Sequence, residues 1–295
     1  MAMKRSWIGD LWHKAFRSGN PLYVLIAINI VVFLGLGILS LVTALGITRI
    51  PLSDYVISWL QLPASASDWL YRPWTIGTYM FTQQGLFHIL FNMLWLFWLG
   101  IIFLDFLKKR QLTFVYLAGG LAGGALYLLA YNLIPIFRAD AYRTVMIGSS
   151  ASVSAVVFAT ATLLPDYTIR LLLFGNVKLK YLALAFIALA ILAVGGLNAG
   201  GNIAHIGGAL FGFVYIKRLQ NGRDWSRILG GRERRKRKLR VVRNDVPPPH
   251  EEPLVPNQEV IDRILDKISQ SGYDSLTKAE KEALFKASKQ GQNEY

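Results

Sequence analysis

The chain has no cysteine among its 295 residues. This excludes disulfide staples, thiolate catalysis and cysteine-ligated zinc. It is also poor in acid, with 18 Asp and Glu against 32 Lys and Arg and a formal net charge of +14. No carboxylate relay runs through its apolar segments, since Asp105 lies at the end of one; this weighs against an ion or proton transporter. The first apolar run is longer than a signal-peptide core and lacks a small-residue cleavage site, so no cleavable signal peptide is expected. Nor does the positive charge point to nucleic acid. The basic residues flank the apolar runs and crowd toward the C-terminal end.

What the chain has in quantity is apolar length. Hydrophobic residues make up 53% of it, and runs near twenty residues recur, as in a polytopic membrane protein. Six spans are expected at Leu22–Ile47, Leu86–Leu107, Leu112–Ile134, Ile147–Leu164, Leu179–Val194 and Asn202–Arg218. Lys4, Arg5, Lys14 and Arg17 precede the first span, Lys108, Lys109 and Arg110 separate the second and third, and Arg170, Lys178 and Lys180 lie between the fourth and fifth. By the positive-inside rule both termini face the cytoplasm. Four regions follow: a cytoplasmic segment over 1–21, a membrane core over 22–219, a basic and proline-rich linker over 220–257, and a small cytoplasmic helical hairpin over 258–295.

Two features outside the spans carry expectations of their own. The outer connection from Thr48 to Gly85 reads as long and irregular, with Trp59, Trp69, Tyr71 and Trp74 suited to the headgroup level. In the tail, the basic run Arg232–Arg243 reads as an anchor on anionic lipid. Beyond it Ile261, Ile264, Leu265 and Ile268 form a helical stripe, Gly272 a stop, and Thr277 with Glu280 a capping box.

The chemistry is confined to three polar islands in the apolar runs: His88 with Asn92, Gly148-Ser149-Ser150-Ala151, and Ala204-His205 ahead of Gly207-Gly208. Polar side chains at membrane depth are costly and mark sites. A serine, a histidine and an amide are the parts of a serine hydrolase. Counting from the cytoplasmic ends at about 1.5 Å per residue places Ser150 at roughly 22 Å, Asn92 at roughly 24 Å and His205 at roughly 18 Å. The three groups therefore lie at similar depth, with His88 one turn above Asn92. If a helix starts near Ser150, the segment before it must dip into the membrane, where irregular backbone is tolerated only inside protein or beside a water-filled cavity. Gly148 supplies the turn that exposes such a serine. The glycine pairs Gly119/Gly123, Gly120/Gly124 and Gly208/Gly212 have the spacing of close helix contacts.

The segments His88-Ile-Leu-Phe-Asn92, Gly148-Ser149-Ser150-Ala151 and Ala204-His205-Ile-Gly-Gly208 resemble the three signature motifs of the rhomboid family of intramembrane serine proteases, in its bacterial members. The likeness covers about residues 20–220. It implies an all-α, six-transmembrane-helix bundle in a bacterial inner membrane, cleaving transmembrane substrates without a metal or organic cofactor. Its partners would be membrane-protein substrates and membrane lipids. It also implies Ser150 as nucleophile and His205 as base, with Asn92, His88 and backbone N–H near Gly148 stabilising the oxyanion, and the fifth span as a candidate lateral gate. The sequence departs from the family pattern at three places: Ala151 replaces a glycine, Ser154 stands where an aromatic often stacks on the histidine, and Gln83 replaces a histidine. Ser154 also opens a second register with Phe158 at the aromatic offset, which makes it an alternative nucleophile. The other functional class left open is a non-proteolytic relative acting as a scaffold or chaperone for transmembrane helices.

Overall fold

A computed structural model describes residues 19–171, 175–196, 198–229 and 258–290. The four basic residues ahead of the first span, the basic run Arg232–Arg243 and the prolines after it lie outside the described residues. The chain divides into two units, Met1–Glu233 and Arg234–Tyr295.

The first unit is helical. It contains α1 (Pro21–Ala44), α2 (Leu52–Leu60), α3 (Ala66–Tyr71), α4 (Thr75–Thr78), α5 (Leu86–Phe106), α6 (Lys109–Leu133), α7 (Pro135–Arg138), α8 (Ser150–Leu163), α9 (Leu179–Leu192) and α10 (Ala199–Gln220). All six expected spans are helices. Four of them, α1, α5, α6 and α10, are long and apolar enough to cross a membrane, whereas α8 and α9 are shorter apolar helices. Along α1, Val31, Leu34, Ile38 and Leu41 are each more than half exposed. An outward row of large apolar side chains of this kind needs a solvent of lipid rather than water.

Chain chemistry sets the helix ends. Pro21 sits in the first turn of α1, where its missing N–H costs nothing, and the Asn20 side chain accepts from the Leu22 N–H. Gly85, at φ +83°, opens α5. Helix α8 begins at Ser150, directly after Gly148 at φ +120°. At about 1.5 Å per residue its fourteen residues span only about 21 Å, less than a hydrocarbon core of about 30 Å.

The short helix lies at the centre of the unit. Ten of its fourteen residues are buried, and it packs against α5, α6 and α10. Small residues permit this. A methyl group on Gly119 would fall on the Ala155 side chain, on Gly208 on the Ala151 carbonyl, and on Gly212 on the Ala155 carbonyl. At Gly123 it would come within 2.6 Å of the Ala151 methyl and 2.7 Å of the Ala204 carbonyl oxygen. Gly119/Gly123 and Gly208/Gly212 thus stand where helices meet closely, whereas Gly120 and Gly124 make room for the side chains of Met80, Ser152, Leu62, Ile76 and Tyr79.

Two short antiparallel pairings frame α8. At the end where α8 begins, β1 (Leu62–Pro63) pairs with β2 (Val145–Met146) in the register Leu62 to Met146, and Ala64 N–H adds a bond to the Thr144 carbonyl. The segment ahead of α8 is therefore tied to the outer connection. That connection is not irregular as expected: it folds into α2, α3, α4 and a 3-10 turn at Tyr79–Phe81. It is fastened to α6 by Asn132, which bonds both the Ala64 carbonyl and the Ala66 N–H. Trp59 and Trp74 stack at 5.9 Å and remain half exposed. At the other end, β3 (Thr168–Leu171) and β4 (Gly175–Lys178) form a hairpin that the apolar pattern did not announce.

A polar junction closes this same end of the bundle. Asp224, just past α10, receives bonds from Arg110 (3.1 Å), Gln111 (3.3 Å), Tyr215 (3.1 Å) and both donors of Ser226. Burial alone would raise the Asp224 carboxyl. The bonds from Ser226, Tyr215 and Arg110 outweigh it and hold the group below the usual carboxylate range.

In the second unit α11 (Gln258–Ser271) and α12 (Lys278–Gln290) form the expected helical pair. Gly272, at φ +77°, follows α11, and the Thr277 and Glu280 main-chain and side-chain groups bond reciprocally, as a capping box requires. Of the predicted stripe, Ile264 is buried, but Leu265 is half exposed.

Two measurements test this packing. Gly208→Ala should lower the stability of the detergent-solubilised protein by about 1–3 kcal/mol or more, because a backbone carbonyl cannot yield as a side chain can. Asp224→Asn should cost about 1–3 kcal/mol at neutral pH. A depressed carboxyl stabilises above its ordinary value of 3.8 and loses that contribution as the pH falls through the folded-state value. The difference between Asp224→Asn and the wild type should therefore shrink on acidification, read as unfolding temperature against pH.

Candidate active site

His88 and Asn92 occupy the first two turns of α5, four residues apart and so on one face. His88 is exposed at the rim, whereas Asn92 is buried one turn deeper. Ser150 is the first residue of α8, and His205 lies in the second turn of α10. All four line one cavity of about 470 Å³, with Trp95 and Phe186 among its walls. The structure therefore brings together the three islands that the chain holds more than fifty residues apart.

Gly148 is the hinge of this arrangement. Its N–H donates to the Tyr79 carbonyl at 2.9 Å, and its φ of +120° lies in glycine's territory. Its surroundings are equally restrictive. A methyl here would stand 2.8 Å from Cε1 of His88 and 3.8 Å from Oγ of Ser150. The glycine thus allows the His88 ring and the start of α8 to approach each other.

The first N–H groups of α8 lack intrahelical partners, as at any helix start, and the residue ahead of it, Ser149, makes no side-chain cap bond to them. Those donors, at Ser150 and the residues just after it, sit at the helix end that Ser150 carries to the cavity. Partial positive charge also concentrates at that end. Together with the Asn92 amide, the site offers hydrogen-bond donors to an oxygen that gains negative charge.

Ser154 is placed differently. It is fully buried, and its hydroxyl donates to the Ser150 carbonyl at 2.7 Å. It does not line the cavity. One helical turn thus separates a serine facing the cavity from one turned back onto its own helix.

Three contributors escaped the sequence reading. Phe186, from α9, lies against His205 with ring centroids 5.7 Å apart and planes inclined at 44°. An aromatic therefore does support the imidazole, though not from the position four residues after Ser150. Asn29, in α1, is fully buried and bonds Gln83, which in turn bonds Asn92 and Ser149. Asn198 caps α10 through the Gly201 N–H and also borders the cavity. For Asn29 the available signal was an amide isolated in an apolar run. Phe186 carried none, because aromatic residues recur throughout the spans. Among the described residues, no cluster of three or more metal-ligating side chains occurs.

A family model described as the Rhomboid domain matches residues 71–221. The chain belongs to the rhomboid family. Together with its four long apolar helices, this makes it an integral membrane protein. The rhomboid match covers α4 through α10 and contains every motif residue, but leaves α1 outside it. A second model, described as a family of unknown function (DUF6576), matches residues 255–290, which include α11 and α12. No curated protein matches the chain.

The glycine hinge gives a direct test. Gly148→Ala imposes a backbone conformation costing about 1–3 kcal/mol and crowds the His88 ring. The variant should unfold at a lower temperature than the wild type, whereas Gly77→Ala, where a methyl meets open space, should not.

Proposed function

We propose that this rhomboid is an intramembrane serine endopeptidase that cleaves transmembrane proteins, with Ser150 as nucleophile and His205 as general base. The observation that carries this reading is the common cavity: Ser150, His205, Asn92 and His88 meet in a space of about 470 Å³ at the uncapped start of α8. In the proposed reaction His205 takes the Ser150 proton as Oγ attacks the scissile carbonyl. The oxyanion is held by the Asn92 amide, His88 and the Ser150 N–H. His205 then protonates the leaving amine, and water releases the acyl-enzyme by the reverse proton path.

The dyad has no carboxylate to orient its imidazole. Contact with Phe186 supports that orientation in place of an aromatic at position 154. Cavity access favours Ser150 over Ser154 as nucleophile. In this reading α8 and α9 complete a six-helix bundle with the four long spans, both termini face the cytoplasm, and α9 borders the entry for the substrate helix. The lipids around the bundle and the substrate's own membrane segment are its partners.

Labelling of the purified, detergent-solubilised protein with a fluorophosphonate probe tests the assignment. Ser150→Ala and His205→Ala should each reduce labelling by about 10³-fold or more, while Ser154→Ala should leave it near wild type. Loss with Ser154→Ala but not Ser150→Ala would move the nucleophile one turn along α8. Absence of labelling in folded wild-type protein would instead favour a scaffold that binds transmembrane helices.

A further inference from the structure

Asn92 can serve an oxyanion only if its amide presents nitrogen, and not oxygen, in the required direction. Amide side chains are nearly symmetrical in shape, so the choice is made by the groups they bond. Here the choice can be traced to two backbone carbonyls, which only accept.

The first is the Leu25 carbonyl in α1, which accepts from Nδ2 of Asn29 at 2.9 Å. The second is the Met80 carbonyl, which accepts from the Tyr116 hydroxyl at 3.1 Å. Having donated its proton there, the Tyr116 oxygen accepts from Nδ2 of Asn29 at 3.0 Å. Both protons of the Asn29 amide are thereby committed, and its Oδ1 must face the other way. It accepts from Nε2 of Gln83 at 2.7 Å, and the same nitrogen donates to Ser149 Oγ at 3.2 Å. The Gln83 oxygen is left to face Asn92, whose Nδ2 donates to it at 3.0 Å. Turning any one amide over would set oxygen against oxygen or nitrogen against nitrogen at its neighbour. Asn29, Gln83, Tyr116 and Ser149 are all essentially inaccessible, so no solvent relieves such a mismatch.

We propose that Asn29 and Gln83 are positioning residues that fix the Asn92 amide as a donor, committing one N–H to Gln83 and leaving the other for the substrate oxygen in the cavity. The inference rests on the protease reading for its catalytic consequence, but the relay itself is a property of the fold. It begins in α1, outside the matched rhomboid segment. Ser149 brings the start of α8 under the same control, so both sides of the oxyanion position are set by one glutamine.

The test combines kinetics with an observation independent of activity. Cleavage of a transmembrane substrate would be measured in proteoliposomes for wild type, Gln83→Met, Asn92→Ala and the double variant. Asn92→Ala should lower kcat by about 10²–10³-fold, and Gln83→Met by about 10–100-fold with KM nearly unchanged. The double variant should be no slower than Asn92→Ala alone, since residues acting through one another do not add. Multiplicative losses, or an effect confined to KM, would overturn the proposal. Gln83→His, which keeps one donor and one acceptor, should restore part of kcat. Separately, side-chain amide NMR of the asparagine-labelled full chain should show one protected Asn92 proton, assigned by its loss in Asn92→Ala and exposed in Asn29→Leu. An unprotected pair in the wild type would overturn the relay whether or not the protein cleaves anything. Protection without cleavage or labelling would remove the protease reading alone.

Discussion

The structure depends on how closely α6, α8 and α10 approach one another. Lipid tails are as apolar as leucine, so burying hydrocarbon does little to drive helices together within a membrane. Contact between backbones must do more, and it requires the absence of side chains at the crossing points. Gly119 and Gly123 on α6, Ala151 and Ala155 on α8, and Gly208 and Gly212 on α10 meet this need. They allow a helix of fourteen residues to be buried on all sides. Because α8 is short, its first turn ends inside the bundle, and that turn carries Ser150. The small residues thus determine the helix length that can be buried and, through it, the depth of the serine.

A second constraint follows from the first. Once α8 ends inside the bundle, the segment before it brings backbone and polar side chains into apolar surroundings, where every donor and acceptor requires a partner. The β1–β2 pairing, the Tyr79 carbonyl and the amide of Gln83 meet these needs from the outer connection. The outer connection is therefore ordered into short helices. Its polar groups are engaged with the segment that precedes α8.

The sequence makes some of this legible and conceals the rest, for definable reasons. Apolar runs place all six helices to within a few residues, because hydrophobic length is a local property. His88 and Asn92 are recognised together through their spacing of four, and Gly148 through the turn it permits. The tail's capping box is local in the same sense. Phe186 is not legible. It touches His205 from another helix, and only packing decides which of many aromatic side chains reaches the imidazole. Gln83 is visible only as a departure from the family pattern, and Asn29 as a single amide in an apolar run. Their role emerges when three separate elements converge. The outer helices escaped for a further reason, since each is too short for a period to stand out against its aromatic content.

Helix α9 buries only Leu179, Ala183 and Ala190 along its length, yet it supplies the ring that lies against His205. The imidazole is thus braced by a helix that buries little of itself in the bundle. An outward swing of α9 would widen the cavity and withdraw Phe186 in the same movement, leaving the imidazole free to rotate. In the proposed reaction, access and readiness would oppose each other, since the movement that opens the cavity beside α9 is the one that releases the imidazole.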